Sequence, residues 1–373
     1  MNTNQLSKSL LYSELVPVNK LAQIFKKRTN SYKYLFFLSL LQSIKNNNFN
    51  LNIIYSLSDL QAEMLKIAWY PYKFFKLSFG NQDKIAEKLE KLPPIELNYK
   101  IDNRDLIRQH IIRHLSDEEL LKYVPYRLIR VFFEEQTKNM ADSKVDQMIH
   151  KLAIKSFDEF YPIYYIDANK KNLIVHPYWL HFLHINYSIV YEWTLWEWLQ
   201  YMQKRNPNVI NLSSKLLPPI GRGTLSDKRK YWKKVIETDR YKFRCPYSNE
   251  VIKTDKFELD HFLPWSFVVH NRLWNLIPTL PEVNLQKSDN IPSLDYIDNV
   301  IEQHHIAISI SKTCFKTKKW NNYMEDYITD LKISETDIKN VAEFRNKYHF
   351  QVESLTSLAK AQGFFSDWVY RSI

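Results

Sequence analysis

Glycine scarcity sets the first limit on this chain: Gly80, Gly221, Gly223 and Gly363 are the only four in 373 residues. A Walker loop or a dinucleotide fingerprint needs several glycines within a few residues, because only there can backbone amides come close to phosphate. Neither occurs, so any nucleotide-consuming step must come from a partner, such as an ATPase or a sensor protein. What remains is a chain with 45% hydrophobic and 15% aromatic residues, enough to build a sizeable core.

Apolar periodicity predicts a mainly α-helical region over residues 1–205. The stretches 31–45 and 56–70 each open with a serine suited to cap a helix, and Ser116 with Glu119 forms a capping-box pattern. "IYYIDANKKNLIVH" (163–176) predicts a hairpin, and 177–205 a long aromatic helix. The segment 206–226, with three prolines and two glycines, predicts a linker. Helical patterns return at 293–305 and 352–371. The longest apolar stretch, "YLFFLSLL", falls far short of the ~20 residues that span a bilayer, so no membrane insertion is expected. Cys245 and Cys314 form no Cys-x-x-Cys pair, which predicts a reducing cytoplasm and no structural zinc.

Charge points to a polyanionic partner. Lysine plus arginine exceed aspartate plus glutamate by 52 to 41, a net +11. Between Lys215 and Arg244 ten basic residues face three acidic ones, so 10 − 3 = +7 of that excess sits in one stretch. Lys228, Arg229, Lys230, Lys233 and Lys234 stand at its centre and are candidates for phosphate contacts.

The stretch just after this basic run carries the strongest constellation. "KFELDHFLP" (256–264) and "NLIPT" (275–279) have strand character with a loop between them. Thr279 and Glu282 form a T-x-x-E capping box with Pro281 in the first helical turn, which places Asn284 on a helix. Such a strand, loop, strand and helix can bring the Asp260 carboxylate and the Asn284 amide oxygen together around a hard cation. Lys287, one turn beyond Asn284, is a candidate phosphate clamp.

At these residues the chain resembles the HNH, or ββα-metal, nuclease domain, and most closely that of the RNA-guided type II CRISPR effector nucleases. "ELDHFLPWSF", Asn275, Asn284 and "KSDNIPS" fall in the family's order without a gap, over about 40 residues. The resemblance implies that His261 is the general base, that Asp260 and Asn284 hold Mg²⁺ or Mn²⁺, and that Asn275 braces the loop between the strands. The substrate implied is DNA, cut to 5′-phosphate and 3′-hydroxyl ends. Many HNH enzymes also carry flanking Cys-x-x-Cys pairs; here Ser248 stands where the second cysteine would be. The glycine-rich companion domains of the CRISPR effectors are absent, so guide-RNA recognition is not implied.

The expected protein is thus of the α+β class: a helical region over 1–205, a linker over 206–226, an HNH nuclease domain over 227–310, and a helical extension over 311–373. Stand-alone HNH proteins of this kind resemble bacterial anti-phage or restriction nucleases. A single centre cuts one strand, so a clean double-strand break requires a homodimer or a partner-held complex. Two alternatives stand beside this reading. One is a nucleic-acid-binding module with an HNH fold and no catalysis. The other is a ribonuclease using the Arg104/His110 and Arg108/His114 spacing, which fits the Arg-x(4–6)-His pattern of HEPN ribonucleases. The same spacing also suits a basic amphipathic helix. His181 and His184, three apart, are expected to pack among aromatics.

Overall fold

Helix dominates because apolar residues recur at three- and four-residue spacing along most of the chain, and the strands are few, short and antiparallel. This is the architecture of a computed structural model that describes residues 12–26, 29–97, 103–115, 119–218 and 223–372. The chain divides into two units, Met1–Pro207 with Leu216–Pro218, and Asn208–Lys215 with Pro219–Ile373. No helix among the described residues is long and apolar enough to cross a membrane.

In the first unit the Tyr32–Asn46 helix is buried along Tyr34–Leu41 and packs against the Leu57–Trp69 and Pro177–Arg205 helices. Ser56 caps the Leu57–Trp69 helix by accepting from the Asp59 amide. Ser116 of the expected capping box lies outside the described residues. The expected hairpin is present: strands β1 (Tyr55–Ser56), β2 (Tyr164–Ile166) and β3 (Asn172–Val175) form a sheet in the order β1-β3-β2. Asp167 closes the β2–β3 turn by accepting from the Lys171 and Asn172 amides at 2.9 and 3.2 Å. Arg108 is engaged by Asp59 and Glu63, and His110 and His114 by backbone carbonyls, so these groups stabilise a helix packed in this unit. His181 and His184 are exposed, and His184 lies against the Phe49 ring with centroids 4.9 Å apart.

The second unit has one hydrophobic core running from Tyr231 to Trp368, centred on Trp232, Trp274, Tyr327 and Tyr348. Its longest helices are Ser226–Ile236, Ile297–Cys314, Thr317–Leu331 and Val341–Ala361. Two of its buried indoles are paired: Trp232 Nε1 donates to the Leu276 carbonyl at 3.0 Å, and Trp274 Nε1 to Asp330 at 2.7 Å. The expected boundary at 310 falls inside the Ile297–Cys314 helix, and the chain beyond it contributes residues as far as Trp368 to this core. The last helix stops at Ala361, short of the expected 371. Gly363 takes a positive φ of 93°, and the chain beyond it lies alongside Ile291–Ser293, with Trp368 bonded to Ile291.

Asp326 ties three parts of this unit together. It accepts from Lys228 of the Ser226–Ile236 helix, from Arg272 at 2.9 Å and from the Leu273 amide at 2.7 Å. Burial alone would raise its carboxyl, but these three donors outweigh burial and hold it below the usual carboxylate range. A carboxyl depressed on folding contributes stability above its unfolded value of about 4, and that contribution is lost as pH falls through the folded value. Asp326→Ala should therefore destabilise the protein by about 3 kcal/mol near neutral pH, because Lys228 and Arg272 lose their partner. Urea unfolding would measure this, and the difference from the parent should shrink under acid conditions.

Candidate active site around Asp260 and His261

Strand β4 (Glu258–His261) pairs antiparallel with β5 (Leu276–Thr279), setting Glu258 opposite Thr279 and His261 opposite Leu276. The Pro281–Lys287 helix follows at once and packs against β4. The expected capping box does not form. Thr279 is the last strand residue and its buried hydroxyl has no hydrogen-bond partner, while Leu280 occupies the N-cap position. Pro281 in the first turn, which needs no N–H partner, starts the helix instead.

Side chains two apart on a strand share a face, and those three apart on a helix lie about one turn from each other. Here the two spacings meet. Asn284 Nδ2 donates to Glu258 Oε2 at 2.7 Å, and Lys287 Nζ donates to Asp260 Oδ1 at 3.0 Å. Lys287 also donates to the His261 carbonyl at 2.7 Å, and the Tyr247 hydroxyl donates to Asp260 Oδ2 at 2.6 Å. Burial pushes the Asp260 carboxyl up, and the Lys287 ammonium with the Tyr247 hydroxyl pulls it back. Burial and the adjacent carboxylate together hold the Tyr247 phenol protonated, as a donor.

Asn275 is fully buried and pairs with the backbone just beyond His261. Its Oδ1 accepts from the Leu263 amide at 2.8 Å, and its Nδ2 donates to the Leu263 carbonyl at 2.9 Å. This two-way amide contact fixes the chain where it leaves β4. His261 itself is half-buried, with Nε2 2.9 Å from Asn271 Oδ1. An oxygen acceptor at that distance puts the ring proton on Nε2 and leaves the basic lone pair at Nδ1.

The proposed phosphate contacts are placed in three ways. Lys287 has no exposed surface, so it is a buried partner of Asp260 and not a phosphate clamp. Its burial follows from the carboxylate beside it, which would otherwise be an unpaired charge in the core. Lys228 is drawn to Asp326, and Arg229 donates to the Phe257 carbonyl while lying over the Phe257 ring. Lys230, Lys233 and Lys234 remain exposed along the same helix. Sequence reasoning missed Glu258, Tyr247 and Asn271. Glu258 was findable, since it stands two residues before Asp260 on a strand.

The residues present fit a divalent cation in kind. Asn284, having donated through Nδ2, offers its Oδ1, and Glu258 beside it is a half-exposed carboxylate. Each Asp260 oxygen keeps a second lone pair beyond the bonds from Lys287 and Tyr247. These are hard oxygen donors of the type that suits Mg²⁺. Among the described residues, no group of three or more His, Cys, Asp or Glu side chains is arranged to hold a metal. Cys245 and Cys314 are free thiols.

Residues 245–293, the stretch that builds this site, match the family model described as HNH endonuclease. No curated protein and no solved structure matches the chain. The match supports an HNH-type nuclease segment, which implies a nucleic-acid substrate and, as for HNH nucleases generally, a divalent metal.

Proposed function

We propose that this protein is a metal-dependent endonuclease that hydrolyses DNA phosphodiester bonds, with His261 as general base. The observation that carries the proposal is the placement of His261. It stands half-exposed at the end of β4, its ring held by Asn271 and its backbone pinned by Lys287 and Asn275, inside the segment that matches HNH endonucleases. With its proton on Nε2, His261 takes a proton from water at Nδ1 as that water attacks phosphorus and the 3′ oxygen departs. Glu258, Asp260 and Asn284 would hold the cation, with Mg²⁺ or Mn²⁺ as the expected ion. Such an ion supplies charge stabilisation at the phosphoryl and leaving oxygens. Asn275 is a positioning residue.

The CRISPR-effector-like variant of the HNH motif, cytoplasmic residence and a role in bacterial anti-phage defence or restriction belong to the same proposal, supported by the Asp260-to-Ser293 spacing and the basic composition. A second reading, a nucleic-acid-binding module without hydrolysis, draws on one observation: both oxygens of Asp260 already accept from protein groups. Incubation with supercoiled plasmid separates the two. A single site should produce open-circle DNA before linear product in the presence of Mg²⁺, and none with EDTA. Plasmid left supercoiled across Mg²⁺ and Mn²⁺ would favour the binding module.

A further inference from the structure

The basic run divides according to what its lysines meet, and the exposed half of it lines a cleft. Lys230, Lys233 and Lys234 face Lys316 and Lys319 across Phe315, with Glu237 the one carboxylate in the lining. Glu237 lies 3.8 Å from Lys233, and Lys319 reaches the exposed Asp227 at 3.5 Å. Among the described residues no carboxylate lies within ion-pair distance of Lys230, Lys234 or Lys316. Five ammonium groups drawn from two separate parts of the chain are thus gathered with little acid to balance them.

Two further features show that this is more than a solvated face. Phe315 is half-buried, stacked on Tyr231 with ring centroids 5.8 Å apart, and it holds Lys234 and Lys319 over its ring at 5.2 and 5.7 Å. Cation–π contacts of this kind fix the ammonium groups in place. The Thr317–Leu331 helix, meanwhile, starts against the usual rule. Lys316 stands at its N-cap with no capping side chain, its first turn holds no acidic residue, and that turn carries Lys318 and Lys319. Lysine at the positive end of a helix dipole is unfavourable by itself, and an anion bound there reverses the sign.

We propose that this cleft binds the phosphodiester backbone of the DNA substrate, outside the Asp260–His261 site. The identity of the occupant rests on the nuclease reading above; the anionic character rests on the cleft alone. Lysine presents a point charge rather than a planar fork, which suits phosphate contacts, and contacts to phosphate carry no sequence information. It holds the duplex while the site cuts.

The test is binding of the full-length chain to a DNA duplex of about 30 base pairs in EDTA, followed by anisotropy between about 50 and 200 mM salt. The combined variant Lys234→Gln, Lys316→Gln and Lys319→Gln should lower the slope of log affinity against log salt by about 3, equally for unrelated sequences. Lys316→Gln alone should lower it by about 1, which covers the case in which the triple variant does not fold. A folded variant with the parental slope overturns the proposal. Because the assay involves no cleavage, its outcome is independent of whether His261 is the base.

Discussion

His261→Ala is expected to lose DNA cleavage by about 10²- to 10⁴-fold, the usual contribution of a positioned general base, while keeping the parental melting temperature and DNA affinity. The separation is possible because the structural duties at this position belong to the backbone. The His261 carbonyl, not its ring, receives Lys287, and β4 pairing with Leu276 is a main-chain contact. The half-exposed ring contributes little to the core. Asn271→Ala should give a smaller loss, because it removes the acceptor that fixes the ring proton on Nε2 and leaves the base itself in place. Plasmid cleavage, anisotropy and a thermal melt on the same preparations decide the matter. A His261→Ala protein that cuts at the parental rate would move the chemistry elsewhere, and His110 and His114 would be the next histidines to replace.

How far the sequence reveals this site depends on the range of each interaction. β4, β5 and the following helix were legible because strand propensity, a loop of fixed length and Pro281 are local signals. The brace at Asn275 was legible from the resemblance alone, since nothing in its neighbourhood announces a contact with Leu263. Lys287 was misplaced because a lysine one turn beyond Asn284 looks the same in sequence whether it faces water or a buried carboxylate. Lys228 was counted with its neighbours for a related reason: its partner, Asp326, lies 98 positions away. The Thr279 capping box failed because the strand ran one residue further than the motif allowed. Residues 311–373 read as an extension because amphipathic helices show that they pack, not against what.

Asp260 and Lys287 form a pair whose disruption should be the largest stability change available at the site. Both side chains are buried, at 3% and 0% exposure, and their contact is 3.0 Å. Replacing either one leaves a charge without its partner in an almost wholly buried position. Lys287→Ala leaves the Asp260 carboxylate with only the Tyr247 hydroxyl, and Asp260→Ala leaves an ammonium bonded to one carbonyl. Each single change should cost about 3–5 kcal/mol, whereas Asp260→Leu combined with Lys287→Met should recover most of that loss, since well-packed apolar replacements remove both desolvation penalties together. A double-mutant cycle by urea unfolding measures the coupling directly. The result also separates two roles for Lys287. A lysine reaching phosphate from the surface would lower DNA affinity on removal and change stability by well under 1 kcal/mol. A buried partner of Asp260 does the reverse, and single variants as stable as the parent would contradict the arrangement of β4 against the Pro281–Lys287 helix.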